Sequence, residues 1–260
     1  EWKKLNKSNK ILLGVLAFVV VCVIGYALFS ESITISGSAS ASGDFKITTT
    51  CSAGVNSKIF EAFADYGITE KDFVQGGYAN ESCNVSGNKV SLAVDLKYPT
   101  AQRAFTISFK NTGSMDAVVI ANGDTPVENT NIVVYDNTGA VYKTLAQGDS
   151  EFSNYLNQFG KFSSSTLGVI VTSTGESIPE ASDKWQSRIL DKPNKTNANE
   201  YYLKLEPNDT LMLLVWANWD EDATLKNYSA KTTAIAEQKF QQITNDMFEN
   251  ADGFTCFSGC

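Results

Sequence analysis

Between Val90 and Lys97 the chain alternates without a break: Val90, Leu92, Val94 and Leu96 are apolar, while Ser91, Ala93, Asp95 and Lys97 are small or polar. A period of two is the pattern of a strand with one face in a core and the other in water. Phe105, Ile107 and Phe109 repeat it against Thr106, Ser108 and Lys110, and Asn111-Thr112-Gly113-Ser114 follows with turn chemistry. Asp44 to Thr50 alternates with Phe45 and Ile47 on one face, and Ala117 to Ala121 and Leu167 to Thr172 are further strands. Ile132 to Tyr135 and Ala140 to Leu145 flank Asp136-Asn137-Thr138-Gly139, residues that tolerate positive φ, so a hairpin is expected there. Tyr201 to Leu205 and Thr210 to Trp219 are expected as two strands around a tight Pro207-Asn208-Asp209 turn. The second of these, with its LMLLVWANW run, is apolar enough to be buried on both faces and so central in its sheet. Tyr228, Ala230, Thr232 and Ala234 alternate as a last strand.

Helical spacing is confined to short pieces. Ser57 to Tyr66 carries Ile59, Phe60 and Phe63 and is stopped by Gly67; Ser150 to Gly160 carries Phe152, Tyr155, Leu156 and Phe159; Phe240, Ile243 and Met247 suggest a third amphipathic turn. Ser173 to Asn199 is polar and is expected to be a long loop region. About eight or nine turn-punctuated strands with no fixed-period repeat point to a mainly β fold, a two-sheet sandwich of jelly-roll or Greek-key type.

The first thirty residues have a different character. Lys3, Lys4, Lys7 and Lys10 precede an uncharged apolar run from Ile11 to Phe29. This layout fits a secretory signal or a single membrane-spanning helix, and nineteen apolar residues are just enough to cross a bilayer core of about 30 Å. Both readings place everything after Phe29 outside the cytoplasm. Gly25-Tyr26-Ala27 offers a small-x-small cleavage site, whereas Cys22 follows Val21 and lacks the small residue that lipid attachment wants. The expected organisation is therefore residues 1–29 as signal or anchor, 30–47 as an extended segment, and 48–260 as a β ectodomain. Within the extended segment, Ile33 to Gly43 (ITISGSASASG) alternates small and polar side chains and has no bulky anchor beyond Ile33 and Ile35.

Charge and composition narrow the chemistry. The net charge is −8, and setting aside the leader's +3 leaves −11, a sign that repels phosphate backbones and argues against nucleic-acid partners. The chain has no histidine, which removes Ser-His-Asp, Cys-His and HExxH chemistry by composition. No phosphate-cradling glycine motif is present. No cofactor is implied; the acidic cluster Asp220, Glu221 and Asp222 is a weak candidate for a structural Ca²⁺ site and lacks the regular Asp-x-Asp-x-Asp-Gly spacing. Trp216 and Trp219 in an apolar strand fit one core and one edge position better than a sugar-stacking platform. Beyond the leader stand Cys51, Cys83, Cys256 and Cys260; an even number in an exported chain suggests two disulfides, with Cys51–Cys83 and Cys256–Cys260 the favoured pairing among three. Asn80, Asn84, Asn194, Asn208 and Asn227 each begin an N-x-Ser/Thr triplet and are glycan acceptors where the host modifies exported chains.

The leader ending GYALFSES, the Ser/Ala/Gly segment before DFKI, the FTISFKNTGSMDA strand-turn and the late LKLEPNDTLMLLVWANW together resemble the TasA and camelysin group of exported fibre proteins and the related donor-strand pilins. The resemblance implies a secreted jelly-roll subunit that polymerises with copies of itself when the N-terminal segment of one subunit completes a sheet in the next. Carried onto this chain, the donor is Ser30 to Ile47, with Ile33, Ile35, Phe45 and Ile47 as its apolar assembly residues. The polar run from Ser173 to Asn199 and the C-terminal cysteines do not match the group. The metalloprotease activity sometimes attached to camelysin-like proteins does not transfer to a chain without histidine. The expected role is thus structural rather than catalytic, at the cell surface. Alternatives are a membrane-tethered extracellular binding module, if the leader is retained, and a type IV pilin-like subunit. The last is disfavoured by Val15 at the fifth apolar position, where an acidic residue is usual.

Overall fold

The computed structural model describes residues 43–64, 67, 69, 76–121, 127–164, 168–190, 201–224 and 226–243. The chain divides into two units, residues 1–43 and 44–260. Every described residue but Gly43 lies in the second, so the last four residues of the expected extended segment belong to the domain. Among the described residues no helix is long and apolar enough to cross a membrane.

The described chain is mainly β, with three antiparallel sheets where the sequence pattern suggested two. The first sheet holds β1 (Ile47–Ala53), β4 (Gln102–Asn111), β13 (Thr210–Asn218), β9 (Val169–Val171) and β10 (Ser177–Pro179) in that order, with β8 (Lys161–Ser164) also on β13. The second runs β2 (Tyr78–Ser86), β3 (Lys89–Leu96), β14 (Ser229–Glu237), β6 (Val127–Tyr135), β7 (Val141–Ala146). The third runs β11 (Ile189–Leu190), β12 (Tyr201–Leu205), β5 (Ala117–Ala121), β15 (Lys239–Gln242).

One core serves all three. Val90, Leu92, Val94 and Leu96 of β3 meet Phe105, Ile107 and Phe109 of β4, Val215 and Ala217 of β13, and Val119 and Leu203 of the third sheet in a single buried cluster. The outer face of the first sheet is covered by α1 (Ser57–Phe63), whose Ile59 and Phe63 pack on Ala104, Val169 and Leu214. That second cover explains why β4 is buried on both faces, Thr106 included. The side chain of Asn56 caps α1 by accepting from Lys58 N, 2.9 Å away. The helix α2 (Phe152–Phe159) turns Phe152, Leu156 and Phe159 into the core, and Phe159 meets Trp219 edge to face at 5.1 Å.

The expected hairpin at Pro207-Asn208-Asp209 is not one. β12 pairs with β5 from Tyr201↔Ala121 to Leu205↔Ala117, and β13 continues on β4 from Thr210↔Lys110 to Asn218↔Gln102. The two strands form one long antiparallel ribbon that bends from the third sheet into the first. The bend is held by Asn111, which is fully buried. Its Nδ2 donates to the carbonyls of Met115 (2.8 Å) and Leu205 (3.0 Å), and its Oδ1 accepts from Gly113 N (3.1 Å). Its backbone N donates to Asp209 O, and its carbonyl accepts from Asn208 N. Asp209, 1% exposed, completes the corner by accepting from Glu206 N, Ser173 N and Arg188 Nη1.

Other sequence expectations divide in the same way. The Asp136–Ala140 turn joins β6 to β7 as expected, with Gly139 at φ 82° and the Asp136 carboxylate accepting from the backbone of Thr138 and Ala140. These hydrogen bonds hold the Asp136 carboxyl below its ordinary range, the Thr138 hydroxyl contributing most. The expected loop from Ser173 to Asn199 contains β10, β11 and a one-turn helix, α3 (Asp183–Gln186), capped by Ser182; its residues 191–199 lie outside the described ones. Phe240 does not begin a helix; it is in β15, on the third sheet opposite Val119, because Gln238 bends the strand that β14 began. Gln238 Nε2 donates to Ile120 O at 2.7 Å and so ties that bend to the sheet it enters. Met247 lies outside the described residues.

Candidate functional site: the sheet edges

The residues expected to assemble the protein fall on or before β1, the outermost strand of the first sheet. β1 pairs with β4 over seven positions, from Ile47↔Asn111 to Ala53↔Phe105. The pairing begins before the strand: Thr112 N and Gly113 N donate to Lys46 O, Ser114 N donates to Asp44 O, and Asp44 N donates to Ser114 Oγ. Gly113 is required here, because a Cβ on it would lie 2.0 Å from Asp44 O and 2.8 Å from Lys46 N. Ile47 packs, partly buried, against the core, while Phe45 is 37% exposed. Of the expected donor, then, Asp44 to Ile47 is paired within its own domain, and Ile33 and Ile35 lie outside the described residues.

β1 and β2 are the outermost strands of their sheets on one side of the fold, and Cys51 of β1 is joined to Cys83 of β2 with Cα atoms 6.0 Å apart. The expected pairing of these two cysteines is correct; Cys256 and Cys260 lie outside the described residues. The closed loop spans 32 positions, for which chain-entropy reasoning gives about 3–4 kcal/mol of stabilisation. A second link lies alongside: Arg103 of β4 reaches Glu81 of β2 through Nη2 (2.9 Å) and Nε (2.5 Å), and its guanidinium stacks 4.4 Å over the Tyr78 ring. β2 also carries a register shift between Ala79 and Ser82, a bulge that turns its edge.

On the opposite side, β8 has an edge that Asn129 of β6 satisfies in place of a strand: its Nδ2 donates to Phe162 O and its Oδ1 accepts from Phe162 N. β10 is three residues long and ends in Pro179, which has no N–H to offer. β7 is different. It is six residues long, Val141 is 60% exposed and Tyr142 49%, and Tyr142 stands edge to face with Tyr228 at 4.9 Å. Its one charged residue, Lys143, is drawn back toward α2, paired with Glu151 at 2.5 Å and lying 5.8 Å over the Tyr155 ring. The Glu151 hydrogen bond raises the Lys143 pKa, holding the ammonium charged.

The remaining candidates are scattered. Asp220, Glu221 and Asp222 are exposed; the Asp220 carboxylate accepts from Asp222 N, and Asp220 N donates to Gln158 O at the end of α2. Among the described residues no three metal-ligating side chains converge on one point. Trp219 is in the core and Trp216 packs, partly buried, beside α1. Of the N-x-Ser/Thr positions, Asn84, Asn208 and Asn227 are exposed; Asn80, also exposed, donates through Nδ2 to Asp95 Oδ2 at 2.6 Å; Asn194 lies outside the described residues.

One feature escaped the sequence reading. A cleft of about 240 Å³ on the second sheet is lined by Asp95, Lys97, Tyr135, Gly139, Ser229 and Ala230. Asp95 Oδ1 is buried there with no hydrogen-bond donor among the described residues. Only the register of β3, β14 and β6 brings these residues together, and no spacing in the sequence marks them. Against known proteins, no family model matches the chain and no curated protein matches it.

Proposed function

We propose that this chain is an exported structural subunit of a cell-surface filament or biofilm-matrix fibre, built on a jelly-roll sandwich of the TasA and camelysin type. It joins copies of itself by donating the segment before β1 to a neighbouring sheet. The observation that carries this reading is the position of β1: an outermost strand, locked from Asp44 onward to its own domain, and preceded in sequence by the apolar-poor ribbon Ile33 to Gly43. Such a ribbon has main-chain donors and acceptors that a sheet edge satisfies, and small side chains that let it lie close. The Cys51–Cys83 disulfide fits a compartment outside the reducing cytoplasm.

Deleting Ser30 to Gly43 tests it. The cut stops at Gly43 because Asp44 to Ile47 hold the domain's own edge. The truncated domain should keep its circular dichroism spectrum and sediment as a monomer, and fibres still visible by negative-stain microscopy would refute strand donation.

A second reading, a membrane-tethered binding module, is favoured by the cleft around Asp95. Mass spectrometry of the native N-terminus separates the two: a mature start near Leu28 excludes the tether.

A further inference from the structure

We infer that the cleft on the outer face of the second sheet binds a single neutral sugar ring, whose hydroxyls donate to the Asp95 carboxylate. This rests on the cleft that favours the binding-module reading, names the class of ligand it takes and needs no polymer.

The strands place the cleft's walls. In β3 the side chains of Val90, Leu92, Val94 and Leu96 are in the core, so Asp95, and Lys97 just past the strand, face outward. In β14 Ala230 is in the core, so Ser229 and Lys231 face outward. The register sets Lys231 opposite Asp95 and Ser229 opposite Tyr135. β14 thus supplies the floor, Ser229 and Ala230, between Asp95 and Lys97 on one side and Tyr135 and Gly139 on the other. The volume, about 240 Å³, lies below the roughly 300–1,000 Å³ of pockets that take drug-sized ligands, so one ring fits better than a chain of them.

The Asp95 carboxylate is pinned and half satisfied. Asn80 stands in the β2 bulge at φ 48°, a conformation that asparagine tolerates better than most residues. From there its Nδ2 donates to Asp95 Oδ2 at 2.6 Å, and Lys97 Nζ lies 3.7 Å from the same oxygen. Oδ1 is buried and has no donor among the described residues. A buried acceptor in that state carries a desolvation penalty that an incoming donor relieves. Lys97, 45% exposed, is the wall free to swing aside and admit one.

Charge selects the donor. Lys97 and Lys231 already set two ammonium groups beside this one carboxylate, so a third cation, metal ion or amine, meets net positive charge. A hydroxyl donates to Oδ1 without that repulsion, and its oxygen accepts from a lysine. A sugar ring carries adjacent hydroxyls for both, and an apolar C–H face for Tyr135 and for Val141, which pairs with Tyr135 and is 60% exposed. The Ser229 and Tyr135 hydroxyls donate or accept as the ring requires.

The test is saturation-transfer difference spectroscopy on the full chain, which works on monomer and polymer alike. The probes are methyl β-galactoside, methyl α-mannoside and methyl β-N-acetylglucosaminide, with methylammonium chloride as the cationic arm. At least one glycoside should saturate, and Asp95→Asn should weaken it tenfold or more. Asn80 claims the new amide's oxygen, so its NH2 presents a donor where the ligand needs an acceptor. Asp222→Asn should change nothing. If Asp95→Asn loses its circular dichroism, Tyr135→Leu takes its place with the same loss expected. No saturable glycoside, a glycoside indifferent to both variants, or saturation by methylammonium alone overturns the sugar site. A mature N-terminus near Leu28 removes the tether and leaves this site standing.

Discussion

Arg188 donates from Nη1 to the buried carboxylate of Asp209 at 3.0 Å, across the corner where β12 bends into β13. Arg188 is 14% exposed and Asp209 1% at the side chain. Glu206 shares the guanidinium at 3.3 Å and is itself held by Lys204 at 2.9 Å. The Lys204 hydrogen bond keeps the Glu206 carboxyl below its ordinary range.

Removing the arginine leaves the Asp209 charge buried beside two backbone N–H groups and no cation. Arg188→Ala should therefore lower unfolding free energy by about 3–5 kcal/mol, the range for breaking a buried pair by one partner. Urea denaturation measures it. A loss below about 1 kcal/mol would mean that solvent reaches the corner.

Cys51→Ser with Cys83→Ser should cost about 3–4 kcal/mol by loop entropy. It should also separate the outermost strands of two sheets, so the variant should self-associate more readily than the wild type. Light scattering at matched concentration checks the second effect. No change in scattering would show that the Arg103–Glu81 clamp closes that side alone.

Gly113→Ala sets a Cβ 2.0 Å from Asp44 O. The Asp44–Lys46 pairing should open while the rest of β1 remains. Hydrogen exchange at the amides of Asp44 to Ile47 should quicken tenfold or more, with exchange in β3 unaltered. Equal exchange in both proteins would place the start of the strand elsewhere.

Glu180 lies against Gly168, on whose open side the ring of Trp185 also stands, and burial raises its pKa despite the hydrogen bond from Gly168 N. A raised carboxyl pKa means that the folded state holds the proton more tightly than the unfolded chain, so its charge opposes folding above the folded pKa, and that opposition fades as pH falls through it. Glu180→Gln should accordingly raise Tm at pH 7 and match the wild type near pH 4. A higher Tm at pH 4 alone would reverse the sign.

How much of this was written in the sequence depends on length and locality. β3 and β4 were legible through unbroken alternation, and β13 through an apolar run too long for one face, which the structure places between β4 and β9 inside its sheet. β10 and β11, at three and two residues, are too short to show a period. Pro207-Asn208-Asp209 has genuine turn chemistry, with Asn208 at φ 70°, yet it serves a bend in a ribbon whose partner lies about ninety positions away. Phe240 and Ile243 stand three apart, a helical spacing, but cross-strand pairing with β5 overrode it. Composition and compartment pointed to disulfides, but Cys51 with Cys83 was a favoured choice among three pairings, and the structure bears it out. The clamp of Arg103 on Glu81 beside that disulfide was not legible, since it depends on which strands lie next to one another.

The antiparallel register of β1 on β4 has a mechanical consequence. A pull on the chain ahead of Asp44 acts along the strand, so it loads the hydrogen bonds from Asp44 to Thr50 together, in shear, rather than peeling them one at a time. Past Thr50 the tension reaches Cys51 and crosses covalently into β2. A load applied through the leading segment thus passes between sheets through sulfur, sparing the hydrogen bonds of Ser52 and Ala53.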